Sequence, residues 1–149
     1  MKKLKIQDNL KDRIWNVDKT GLMYVAKRKQ SGCRNREEIC IHQDVHRTWR
    51  NHDLVSCICA NGTWILPFII FKGSRWNEAY KKDCLPNTQV HLSDRGWITK
   101  ELFLLWFQFF LDSTGGSPKP MLLLMDSQGV HITPQVIELA KVVKVAIIN

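Results

Sequence analysis

The chain has 149 residues, the size of one ordinary domain, and 44% of them are apolar, enough to bury a core. Charged residues make up 24%, which excludes wholesale disorder. The net charge of +8 is uneven: residues 1–36 carry 11 basic and 3 acidic side chains, whereas residues 37–149 carry 11 of each.

In chain order, residues 1–13 form a basic N-terminal extension. Ile14-Trp15-Asn16-Val17 then predicts a buried strand ending on Asp18, with Gly21 just beyond. Residues 27–53 are polar with few periodic apolar positions and predict a long surface loop inserted in the domain. Leu54–Ala60 and Thr63–Phe71 predict the arms of a hairpin around Asn61-Gly62, a pair suited to a type I′ turn with two positive φ values. Pro67 has no N–H for a ladder bond, so its arm should lie at a sheet edge or carry a bulge. Residues 73–95 read as irregular.

Thr99 is placed to cap a helix, with Glu101 in its first turn. Leu102, Phe103, Leu105, Trp106, Phe109 and Phe110 leave that helix little polar face, so it should be largely buried. Met121–Met125 predicts a buried strand with Asp126 at its end. Thr133-Pro134 opens a second helix, with the cap and the first-turn proline in sequence. Val136, Ile137, Ala140 and Val143 make its apolar face, and Val145–Ile148 is a last strand. A helical crossover makes the last two strands parallel and right-handed. The fold class that follows is α/β: a mixed five-stranded sheet with flanking helices.

Asp18 and Asp126 both stand where a buried strand gives way to other structure. If those strands are adjacent and parallel, the two carboxylates meet at one rim, where open α/β sheets gather ligands. Two close like charges call for a cation, and Mg²⁺ or Mn²⁺ suits carboxylate oxygens. Two such ions can activate a water and steady a leaving oxygen at a phosphodiester. The same acids also suit plain strand-ending turns, and spacing alone leaves both readings open.

Four stretches, in order, carry a family likeness. Trp15-Asn16-Val17-Asp18-Lys19-Thr20-Gly21 resembles the motif N-x-D-E-T-G. Ala60-Asn61-Gly62 with Pro67-Phe68-Ile69-Ile70-Phe71-Lys72 resembles A-x-G followed by P-x-x-I-F-K. Gly96-Trp97-Ile98-Thr99-Lys100-Glu101-Leu102-Phe103 resembles G-W-M-T-x-E-x-F. Leu122-Leu123-Leu124-Met125-Asp126-Ser127-Gln128-Gly129-Val130-His131 resembles L-L-L-x-D-x-H-x-S-H. Together they resemble the DDE superfamily endonuclease domain of pogo- and Tigger-type transposases and of their relatives centromere protein B and jerky. The resemblance implies a ribonuclease H-like fold over residues 1–149. It also implies Asp18 and Asp126 as the first two acids of a three-acid, two-metal site that cuts and joins DNA, and residence in the nucleus.

The departures from the family pattern are specific. The family's third acid follows the last strand, and no acid lies after Glu138 here, so the domain reads as C-terminally incomplete, with weak Mg²⁺ or Mn²⁺ binding and no efficient strand cleavage. The alternative is an active endonuclease or transposase completed by further C-terminal sequence or a partner chain; a third reading is an interaction module without a DNA role. Lys19 stands where the family has Glu. If Asp18 points into the site, alternation along the strand turns Lys19 away; otherwise its ammonium competes with metal. Gln128 and Val130 replace His and Ser, which leaves Gln128 and His131 as supporting residues.

With no room for a helix-turn-helix before the first strand, DNA binding is expected to be electrostatic and not sequence-specific. Lys27, Arg28, Lys29, Arg47, Arg50 and Arg75 are the candidate phosphate contacts. Trp49 and Trp76 lie among them in basic loops, whereas Trp15, Trp97 and Trp106 sit in apolar contexts expected to be core. No apolar run reaches the roughly 20 residues a bilayer demands, so no membrane partner is expected. Cys33, Cys40, His42 and His46 do not match a common zinc spacing. Cys57 and Cys59 share one strand face as small core residues. An uncovered strip at Val145, Ile147 and Ile148 is expected to promote self-association.

Overall fold

The computed structural model describes residues 8–25, 49–82, 84–126 and 132–148. Six strands build one sheet: β1 (Ile14–Val25), β2 (Trp49–Cys59), β3 (Trp64–Lys72), β4 (Gln89–Ser93), β5 (Met121–Met125) and β6 (Val145–Ile148), in the spatial order β4-β3-β2-β1-β5-β6. The β1–β2 and β2–β3 pairs are antiparallel, and β3–β4, β1–β5 and β5–β6 are parallel. Every strand except β2 therefore ends at the same rim. Helix α1 (Lys100–Ser113) lies between β4 and β5 in the chain, and α2 (Pro134–Val142) between β5 and β6.

The sheet has one strand more than the five expected. The extra strand, β4, falls in the stretch read as irregular. It has only five residues, and its Gln89, His91 and Ser93 give no apolar alternation strong enough to announce it. Two neighbours also run longer than the local pattern suggested. β1 continues to Val25 because β2 stays paired with it from Trp15↔Cys59 to Val25↔Trp49. Residues 49–53, read as the end of a polar loop, belong to β2 for the same reason. Part of the basic extension, Asp8–Arg13, forms a 3-10 helix held to the hairpin: Cys59 Sγ donates to the Lys11 carbonyl at 3.1 Å, and Asn61 Nδ2 donates to Asp12 Oδ1 at 2.8 Å.

The hairpin at Asn61-Gly62 exists, but its turn is not type I′. Only Gly62 takes a positive φ, 92°, and the loop has three residues, closed by Cys59 N–H to the Thr63 carbonyl at 2.7 Å. Pro67 is accommodated by a bulge rather than an edge position. Val55 pairs with Phe68 while Cys57 pairs with Ile65, so β3 spends one extra residue around Leu66-Pro67. β4 pairs β3 only from Phe68 onward, so it never needs the missing proline N–H.

The core lies on one face of the sheet. Trp15, Val17, Val55, Cys57, Phe68, Ile70, Leu123 and Met125 meet Phe103, Trp106, Phe107 and Phe110 of α1 and Val136 and Ala140 of α2. The capping threonines act as expected: Thr99 Oγ1 accepts from Leu102 N–H and Thr133 Oγ1 from Val136 N–H, both at 3.3 Å. Some apolar positions face out instead. Leu105 and Ile137 are exposed, because each helix spends its apolar contacts on one stripe. The opposite sheet face leaves Ile58 and Trp64 exposed beside Asn16 and Ser56. At the last strand the expected strip divides: Val145 is buried, Ile147 is half-buried and Ile148 is exposed.

Trp106 is fully buried, and its indole N–H has no hydrogen-bond partner among the described residues. Trp106→Ala should therefore lower unfolding stability by about 3–5 kcal/mol. Trp106→Phe, which keeps most of the ring and removes that N–H, should lose much less; denaturant melts of the two variants check the difference.

Candidate functional site

The rim site begins with register. β1 and β5 pair in parallel from Ile14↔Leu122 to Val17↔Met125, and the next residue on each is an aspartate. Neighbouring strands lie about 4.8 Å apart, so Asp18 and Asp126 stand side by side where that pairing ends. Both are exposed, and both line a cavity of about 50 Å³ with Val17, Lys19, Met125 and Phe103. Asp18 does not end its strand, as the local pattern suggested; it ends only the pairing with β5, while β1 runs on beside β2. Its Oδ1 accepts the N–H of Lys19 at 2.8 Å.

Lys19 follows the expected alternation: it lines the cavity from the helix face of β1 with Val17, while Asp18 also lines the opposite sheet face with Asn16, Ser56 and Trp64. Its Nζ lies 3.8 Å from Asp53 Oδ2 and 5.6 Å from the centre of the Trp97 ring. Asp53 is fully buried, and its Oδ2 also accepts the Ile98 N–H at 2.8 Å. The chain reaches this point through a turn in which Gly96 takes φ 76° and Gly96 N–H donates to the Ser93 carbonyl at 3.2 Å. Ser93 Oγ then donates to the Trp97 carbonyl at 2.8 Å. The Trp97 ring comes down over Gly21, where a Cβ would lie 3.6 Å from Cζ3. Trp97 is thus 42% exposed and is not the core residue its apolar context suggested. Sequence reasoning also missed Asp53, since a polar residue beside Leu54 gives no sign that a backbone N–H 45 residues later will hold it.

Among the described residues no group of three His, Cys, Asp or Glu side chains converges to hold a metal ion. Two carboxylates do not complete a two-ion site. Of the expected phosphate contacts, Arg75 is exposed after β3, next to Trp76. Trp76 is 44% exposed, its Nε1 donates to Glu78 Oε1 at 2.7 Å, and Lys81 Nζ stands 5.4 Å from its ring centre. Lys27, Arg28, Lys29, Arg47, Gln128 and His131 lie outside the described residues, as do Cys33, Cys40, His42 and His46. Arg50 and Trp49 are on β2, without described side chains.

The chain and its fold have counterparts among known proteins. Residues 51–148 match the DDE superfamily endonuclease family, and the chain belongs to it. The chain is 28% identical over 138 residues to the "MFS-type transporter clz9" of Cochliobolus lunatus, covering 89% of this chain and 15% of that protein. The crystal structure of the Mos1 strand transfer complex aligns with a TM-score of 0.50 at 12% identity, over 96% of this chain and 36% of that one. A pre-cleavage Mos1 transpososome aligns with a TM-score of 0.49, also at 12% identity, over 95% of this chain and 37% of that one. The chain thus spans a small part of that curated relative and little more than a third of the Mos1 chains. The sheet and helices form a ribonuclease H-like fold.

Two titratable groups away from the rim are set by burial. Cys57 lies at the sheet–helix interface, where burial, then the neighbouring Cys59, push its thiol up to about 12. It should resist alkylation at pH 8 until the protein unfolds, which mass spectrometry can follow. His91 stacks on Phe68 with ring centres 4.4 Å apart, and burial, then the charge of Lys81, hold its pKa below the usual 6.5. As the pH falls through 6.5 the unfolded chain takes up this proton first, so stability present at neutral pH declines toward acid. His91→Phe should flatten that decline in thermal melts between pH 7 and 5.

Proposed function

We propose that this chain is a transposase-derived DDE domain that binds DNA through basic side chains on the phosphate backbone and does not cut it efficiently. The observation that carries the proposal is the rim itself: Asp18 and Asp126 side by side, and no third acid joining them among the described residues. A DDE site needs enough carboxylate charge to hold two dications against a phosphodiester, and this donor set offers two carboxylates. Mg²⁺ or Mn²⁺ would be held by Asp18 and Asp126, weakly.

DNA is the proposed partner because residues 1–36 carry 11 basic and only 3 acidic side chains. Arg75, exposed after the end of β3, belongs to the proposed binding surface; Lys27, Arg28, Lys29, Arg47 and Arg50 are proposed to extend it. Nuclear residence is part of this proposal. The transport named for the fungal relative is not carried over, since the match spans 15% of its length. No described helix is long and apolar enough to cross a membrane.

Binding to a DNA duplex should be measurable at low salt and should weaken log-linearly as salt rises. A flat response, or no binding at low salt, would favour an interaction module without DNA. Supercoiled plasmid should stay unnicked with Mn²⁺. Nicking that disappears in Asp18→Ala would instead establish an active enzyme, completed by an acid from elsewhere.

We also propose that the open sheet face promotes self-association, since Trp64 is 60% and Ile58 51% exposed on neighbouring strands. Sedimentation should show association that Trp64→Lys reduces; a monomer at all concentrations would refute it.

A further inference from the structure

We infer that the segment after β3 is a platform on which an unpaired DNA base stacks against Trp76, while the basic side chains around it hold the neighbouring phosphates. The inference rests on the reading of this chain as a DNA-binding domain and adds the form of DNA that this surface prefers.

Charge singles the segment out. Residues 72–82 carry four basic side chains, Lys72, Arg75, Lys81 and Lys82, against one acid, Glu78. The rest of residues 37–149 carries 7 basic and 10 acidic side chains, so this is a positive island in an otherwise acidic stretch. All four basic residues are exposed.

Trp76 supplies the flat surface. It is 44% exposed, yet it is held in place. Its Nε1 donates to Glu78 Oε1 at 2.7 Å, and its ring meets Tyr80 edge-on, with centres 6.1 Å apart. Tyr80 stacks on Phe71 of β3 at 4.7 Å, and Phe71 meets the buried His52 of β2, also at 4.7 Å. The 3-10 turn Glu78–Tyr80 is capped by Asn77, whose Oδ1 accepts the Ala79 N–H at 2.9 Å. A chain of rings thus ties the exposed indole to the sheet, and little side-chain freedom is lost when a flat partner lies on it. The single indole N–H is already committed to Glu78, so the ring face is what Trp76 has to offer. Lys81 Nζ, 5.4 Å from the ring centre, places a cation beside that face. An aromatic face flanked by cations suits a nucleotide strand, one part for the base and the other for its phosphates. In a duplex the base faces are stacked on one another, so only an unpaired base can lie on Trp76.

The test is binding of the whole chain to oligo(dT) and to a DNA duplex at low salt. Trp76→Leu keeps an apolar cover over Tyr80 and removes the aromatic face. It should weaken oligo(dT) binding about tenfold, the loss of one stacked base, and leave duplex binding unchanged. Trp76→Phe keeps a ring and should stay within about threefold of the unsubstituted chain on oligo(dT). Oligo(dT) should quench the tryptophan fluorescence of the unsubstituted chain, and that quenching should fall in Trp76→Phe. Thermal melts of both variants confirm that they are folded.

If folded Trp76→Leu binds oligo(dT) as tightly as the unsubstituted chain, or loses equally on both DNAs, the platform is wrong while the DNA-binding reading stands. Quenching that persists undiminished in Trp76→Phe would place the stacked base on another tryptophan and also overturn it. Binding to neither DNA at low salt would overturn both readings.

Discussion

The parallel pairing of β1 with β5 is the constraint on which the rest of the molecule depends. These strands are far apart in the chain, and their register is fixed by which side chains must be buried. Trp15 opposite Leu123 and Val17 opposite Met125 all face the aromatic stripe of α1. A slip of one residue would turn that set to the open face of the sheet and bring polar Asn16 and Asp18 inward. The core therefore selects a single register, and that register leaves two aspartates as neighbours at the rim. The placement of the carboxylates is a consequence of apolar packing, made without any attraction between them.

A second knot fixes what surrounds those aspartates. Asp53 is fully buried on β2, and a carboxylate in such a place is stable only when paired and hydrogen-bonded. It takes the Lys19 ammonium from β1 and the Ile98 N–H from the segment entering α1, and so joins three parts of the chain at one point. The turn at Gly96 lays Trp97 over Gly21 and beside Lys19, which closes the ammonium in from the solvent side.

Much of this was legible locally. The hairpin, both threonine caps, the proline at the start of α2, the proline-induced bulge and the two rim aspartates follow from short-range chemistry that a few residues carry alone. Elements whose existence depends on a neighbour were not legible. β4 has no apolar alternation of its own and is extended because β3 offers it a parallel partner from Phe68 to Lys72. The far halves of β1 and β2 are polar, yet each is extended because the other is. The turn at Asn61-Gly62 was placed correctly and typed wrongly, because one added loop residue lets Gly62 alone take the positive φ.

The sequence by itself determined the fold class, the family likeness and the two acids at the rim, because hydrophobic periodicity, capping chemistry and motif order are properties of short stretches. Only the tertiary structure decided that Trp97 covers a strand instead of entering the core and that Asp53 is the buried partner of Lys19. Those outcomes depend on backbone groups and rings delivered from distant parts of the chain. No local pattern encodes a contact whose two halves are 45 residues apart.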